Sequence, residues 1–150
     1  MKKSANKSTR VVNRRAKFDY ELGDSLIAGI VLSGKETKAL RQGHAQLRGA
    51  FVTTKNGELY LNNCTISNGK TFIITDTEQT RARKLLVSKK QLRSLTEAKD
   101  QGKSIVPLEF ITSSRYIKLK ISIGKGKKLY DKRQALKKRD QTRDMNRAIR

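Results

Sequence analysis

The chain has 150 residues, 35% hydrophobic and 32% charged, with a formal net charge of +22. That composition allows one small core with polar extensions. It excludes a membrane-spanning helix, since no apolar run of about eighteen residues occurs, and the single cysteine, Cys64, excludes a disulfide framework and a Cys-rich zinc site.

Residues 1–12 are basic and polar with no apolar run behind them, so they read as a disordered extension rather than a secretory signal. From Phe18 the runs "FDYEL" and "SLIAGIVL" lean towards strand, with Gly23-Asp24 between them. "KETKALRQG" reads as a helix of about two turns that Gly43 stops. "GAFVTTKNGELYLNN" alternates on both sides of Asn56-Gly57, a dipeptide suited to the positive φ angles of a type I′ turn. Val52, Leu59 and Leu61 would line its apolar face. "KTFIITD" is either a further strand or a loop leaving the barrel.

Ser88 and Gln91 form a capping-box pattern ahead of a helix whose apolar face is Leu92, Leu95 and Ala98, ended by Gly102. "SIVPLEFI" and "RYIKLKISI" make a second hairpin. Pro107 marks an edge position or a bulge, and Ile117, Leu119, Ile121 and Ile123 share one face of the last strand. There is no βαβ rhythm. The chain reads as mainly β: an antiparallel barrel or sandwich of about six strands with two to three short helices and a basic C-terminal tail. Further core candidates are Ile30, Leu32, Leu86, Val106 and Leu108.

Chemistry is sparse. His44, the only histidine, lies in a polar stretch and reads as a surface side chain. Cys64 reads as a half-buried thiol in a reducing cytoplasm. "CTISNGKT" approaches the P-loop pattern, but Cys64 stands where the loop needs glycine, and β-leaning "FIIT" follows where it needs a helix. The charge is distributed unevenly: +7 over residues 1–17, +8 over 124–150, and +7 over the much longer middle. A field of this sign attracts polyanions, nucleic acid first. An anionic membrane surface would require a basic helix with a continuous apolar face, and the apolar residues after Asp131 are too sparse to supply one. With few aromatics, recognition of folded RNA by shape and phosphate fits better than stacking along a single strand.

Four segments carry a family resemblance: "NRRAKFDY" (13–20), "AGIVLSGKETKALRQGHAQL" (28–47), "RARKLLVSKKQL" (81–92) and "GKGKKLYDKR" (124–133). In this order and spacing the chain resembles the small protein B (SmpB) family, bacterial partners of transfer-messenger RNA. The resemblance implies an OB-fold-like barrel over 13–123 and a tail over 124–150 that is disordered when free and helical on the ribosome. It implies no enzymatic activity, cofactor or metal. Its partners would be the tRNA-like domain of transfer-messenger RNA, the decoding site and messenger channel of the 70S ribosome and, through the alanylated RNA, elongation factor Tu. The setting would be the bacterial cytoplasm or an organelle of bacterial descent.

The RNA contacts would be Asn13, Arg14, Arg15, Lys17, Arg81, Arg83, Lys84, Leu86 and Ser88 in the matching segments, joined by Lys38 and Arg41, which are read from their charge on the first helix. The decoding-centre residues would be Gly126, Lys127, Lys128, Leu129, Tyr130, Asp131, Lys132 and Arg133, with Lys137, Lys138 and Arg139 following. The chain departs from the family pattern at Ile27, where glutamate is usual, at Val87 and Ser88, at Thr37, and in "FIITDTEQT". The alternative from charge alone is a general rRNA-binding or ribosome-associated structural protein.

Overall fold

A computed structural model describes residues 10–113 and 115–149. In chain order the elements are α1 (Ala16–Asp19), β1 (Tyr20–Ile30), α2 (Gly34–Arg41), β2 (Ala45–Gln46), β3 (Phe51–Lys55), β4 (Glu58–Asn62), β5 (Thr65–Ile66), α3 (Asp76–Gln79), β6 (Arg83–Leu86), α4 (Lys89–Asp100), β7 (Ser104–Ile111), β8 (Lys118–Gly126) and α5 (Leu129–Ala148). Six strands form one sheet in the order β3-β4-β6-β1-β8-β7, and β2 pairs with β5 in a second, two-stranded sheet. Every ladder is antiparallel. The outer strands β3 and β7 pack against each other, so the sheet curls into a barrel. Leu59, Leu61, Leu119 and Ile121 fill it, and Leu40, Leu47, Ile66 and Leu95 seal it from outside the main sheet.

The local signals act as read at several places. Asn56 and Gly57 have φ of 52° and 72°, the I′ geometry that joins β3 to β4. Ser88 caps α4, accepting from the Gln91 N–H, and Gly102 leaves the helix at φ 83°. Pro107 is both on an edge strand and at a bulge: β7 ends the sheet order, and its register slips between Pro107 and Glu109.

Other expectations are corrected. The two expected strands are one, β1, which begins at Tyr20 because Phe18 and Asp19 of "FDYEL" belong to α1. β1 passes through Gly23-Asp24 with a register shift between Leu22 and Ser25. Ser122 is buried with its hydroxyl within reach of the Gly23 and Asp24 carbonyls at 3.2 and 3.1 Å, so a buried side chain holds the bulge. "KTFIITD" is irregular and leads into α3, while α1 was not anticipated. Leu86 is exposed, because the inward alternation of β6 falls on Arg83 and Leu85.

Both domain edges also move. Residues 1–9 lie outside the described residues, but Val11 is buried, its carbonyl accepts from the Phe110 N–H, and Val12 bridges to Glu109. The folded body therefore begins before Asn13. At the other end β8 runs to Gly126, pairing with Tyr20, so the tail starts beyond the expected break at Gly124. Gly124 is not a flexible joint. A Cβ there would lie 3.1 Å from the Tyr20 Cβ and 3.3 Å from both Leu22 and Val106 side chains. Glycine is required by close strand approach.

Candidate nucleic-acid interface

The motif "RARKLL" divides by strand alternation. Arg83 and Leu85 point into the barrel, Lys84 and Leu86 away from it. Arg83 is fully enclosed, and its partner is Glu36 of α2, itself 1% exposed. Ser33 and Glu36 make a capping box: the Glu36 carboxylate accepts from the Ser33 N–H while Ser33 Oγ accepts from the Glu36 N–H. The same carboxylate accepts from Arg81 Nε and Nη2, both at 2.7 Å, and from Arg83 Nε at 3.2 Å. Arg83 also donates to the carbonyls of Cys64, Glu78, Gln79 and Arg81.

Burial pushes the Glu36 carboxyl up, but the Arg81 hydrogen bond, the Ser33 N–H and the charges of Arg83 and Arg81 outweigh it and hold the group below its ordinary value. Arg83, expected at the RNA surface, is thus a buried clamp that ties β6 to α2 and to the loop around α3. Arg81 is part of the same clamp, with its side chain 38% exposed. Beside it, burial raises the Cys64 thiol to about 11. Cys64 is fully rather than half buried.

The outward residues of β6 belong to a continuous face. Leu86 and Ile27 are each 52% exposed. Gly29 pairs with Leu86 on one side and Lys118 on the other, and Ile27 pairs with Lys120. A Cβ on Gly29 would sit 3.2 Å from the Leu86 Cβ, so glycine leaves Leu86 lying across the strand. Lys84 stands opposite Tyr60 and pairs with Glu58 at 2.6 Å, and the Tyr60 hydroxyl donates to the same carboxylate at 2.8 Å. The hydrogen bond from Lys84 lowers the Glu58 carboxyl and raises the Lys84 ammonium.

Ser88 adjoins this face and is exposed. Its hydroxyl accepts from Gln91, which leaves its proton to donate outward. The result is an apolar ridge, Ile27 and Leu86, between lysines. Such a surface can meet a base or sugar face while its flanks take phosphates. Lys118 and Lys120 are not among the candidates that the sequence offers. The antiparallel pairing of β8 with β1, a long-range register, is what brings them here.

The remaining candidates divide similarly. Asn13 is buried: its amide donates to the Pro107 carbonyl at 2.9 Å and its backbone N–H to Leu108 at 2.7 Å, stitching the N-terminal segment to β7. Arg14, Arg15 and Lys17 are exposed beside it. Lys38 donates to Thr71 at 2.9 Å and lies over the Phe72 ring, holding the loop after β5. Arg41 donates to the carbonyls of Thr112 and Arg115, bracing the β7–β8 connection. Both side chains are exposed, and these bonds tie α2 to the neighbouring loops.

In the tail, no residue of α5 is buried. Leu129 and Tyr130 are 72% and 69% exposed. Asp131, Arg133, Lys137, Lys138 and Arg139 face solvent, and Lys128 is the N-cap without a side-chain capping bond. Lys127 and Lys132 are engaged with α1. Among the described residues no cluster of His, Cys, Asp and Glu could hold a metal ion, and no helix is long and apolar enough to cross a membrane. The P-loop-like stretch runs through β5 into irregular chain, with no helix until Asp76.

Residues 10–150 match the family model described as SmpB protein. The SsrA-binding protein of Halalkalibacterium halodurans is 42% identical over 138 residues, covering 91% of this chain and 90% of the relative. That of Chelativorans sp. (strain BNC1) is 42% identical over 154 residues, covering 99% and 97%. A solved structure described as "tmRNA-SmpB: a journey to the center of the bacterial ribosome" aligns with a TM-score of 0.66 and 36% identity over 81% of this chain and 86% of that one. The chain belongs to the SmpB protein family.

Proposed function

We propose that this protein binds the tRNA-like domain of transfer-messenger RNA through its barrel and places that RNA on stalled ribosomes with its tail, serving trans-translation. One observation carries this reading. The barrel completes its own core without the 20-residue helix rich in lysine and arginine, none of whose residues is buried. A polycation that contributes so little to its own fold is built for a partner that supplies the opposite charge. Family membership identifies the partner class: relatives are named for binding SsrA, and the aligned structure is described by tmRNA, SmpB and the ribosome.

On the barrel, the contacts we assign are Leu86, Ser88 and Ile27 with Lys84, Lys118 and Lys120 around them, and Arg14, Arg15 and Lys17 on the N-terminal segment. Arg81, Arg83, Lys38, Arg41 and Asn13 act by holding that surface in shape. In the tail, Leu129, Tyr130, Arg133 and the later basic residues would meet decoding-site RNA. Binding here is charge-driven, so affinity should fall steeply with salt. Off the ribosome, α5 would fray, since twenty residues with no packed face are only marginally helical in water. On RNA, neutralised charge would complete it. The protein performs no covalent step in this scheme. It works in the cytoplasm because the ribosome does, with elongation factor Tu acting through the alanylated RNA.

Truncation tests the assignment. Removing residues 128–150 should leave transfer-messenger RNA binding largely intact and abolish peptide tagging in a reconstituted translation system. If RNA binding and tagging fall together and in proportion, the chain is instead a general rRNA-binding or ribosome-associated protein.

A further inference from the structure

The tail has no packed face, yet its root is held. The β1–β8 ladder ends at Tyr20 and Gly126, and one more bond continues it: the Lys127 N–H donates to the Asp19 carbonyl at 2.9 Å. Lys127 Nζ donates to the Lys17 carbonyl at 3.0 Å. One turn into α5, Lys132 Nζ lies 3.3 Å from Asp19 Oδ1 and 6.0 Å from the centre of the Phe18 ring. Arg15 reaches the same carboxylate oxygen at 3.6 Å and the same ring at 5.1 Å. Two cations, one from the barrel and one from the tail, therefore share one anion and one aromatic ring. Lys132 keeps only 29% of its side chain exposed, while Leu129, Tyr130 and Arg133 around it are open to solvent.

We propose that Asp19, with Phe18, is a positioning residue: it docks Lys132 and so fixes the direction in which α5 leaves the barrel. An ion pair at this exposure and one cation–π contact are each weak and screened by salt. The dock is therefore strong enough to bias a helix pivoting on a short connection, and weak enough for RNA phosphates to displace it. That the bias serves tagging rests on the function proposed above, whereas the dock itself does not.

The test places spin labels at Gln101→Cys and Gln134→Cys, the second just past Lys132 and ahead of the turns that fray, in the full chain and measures the distance distribution. The buried thiol of Cys64 stays unlabelled. The parent should give one narrow distribution that broadens in high salt. Asp19→Lys should broaden it at low salt, and the reversed pair, Asp19→Lys with Lys132→Asp, should narrow it again. An unchanged distribution in Asp19→Lys, or broadening that the reversed pair does not correct, overturns the proposal. In parallel, Asp19→Asn should keep transfer-messenger RNA affinity and lower tagging by about two- to fivefold, the range one partly exposed ion pair supports. Broadening of the distances with tagging unchanged leaves the dock standing and overturns its part in tagging. If the parent protein fails to bind the RNA at all, the functional reading falls, while the distance measurement still decides whether the dock exists.

Discussion

Glu36→Gln should be among the most damaging isosteric changes available in this chain. The carboxylate is 1% exposed and accepts four hydrogen bonds, from Ser33, from Arg81 twice and from Arg83. Glutamine keeps the volume and one acceptor but removes the charge. Arg83, wholly buried, is left with carbonyl partners and no counter-ion. Breaking a buried pair from one side costs about 3–5 kcal/mol. A domain of this kind has about 5–15 kcal/mol in total. At about 2–4 °C per kcal/mol for a chain of this length, the melting temperature should drop by about 6–20 °C. Circular dichroism melts and urea titrations would read both numbers.

The pH dependence has a definite sign. The folded carboxyl titrates below its ordinary 4.5, so its stabilisation is fully present above that value and is lost as pH falls through the folded value. The parent should lose stability on acidification below about pH 4.5 more steeply than Glu36→Gln. A fall in melting temperature of under about 2 °C, or parallel pH curves, would refute the clamp.

Three further outcomes follow from the same geometry. Cys64, raised to about 11 by burial, should resist iodoacetamide at pH 8 in the folded protein and react only on unfolding; labelling at the rate of a free cysteine would contradict the burial. Leu86→Asp should leave the melting temperature nearly unchanged, because the side chain is half out of the protein, yet weaken RNA binding by at least about tenfold, or about 1.4 kcal/mol. A retained affinity in a filter-binding titration would remove the ridge from the interface. Glu58→Gln, breaking an ion pair at the surface, should leave thermal stability essentially unaltered, in contrast to Glu36→Gln; equal losses would mean that burial does not separate the two pairs.

Features governed by local chemistry were legible in the sequence. The Asn56-Gly57 turn, the Ser88–Gln91 cap, the stop at Gly102 and the edge role of Pro107 each depend on a few neighbouring residues. What could not be read required partners far along the chain. Arg83 looks like its neighbours Arg81 and Lys84; strand alternation turns it inward, and its pairing with Glu36, far along the chain, lets it stay buried. Gly23-Asp24 reads as a break, but Ser122 from a distant strand holds it as a bulge. Gly124 reads as the start of the tail until Tyr20, Leu22 and Val106 are placed around it. The family motifs point to segments rather than to side chains. Within "NRRAK" and "RARKLL" they did not distinguish side chains that face outward from those that hold the strand in place.

The most direct measurement is to sequence the RNA that co-purifies with the full chain at moderate salt. A dominant species with a tRNA-like end and a short internal reading frame is the result predicted here. Bulk ribosomal RNA, or a mixture with no enriched species, would contradict it.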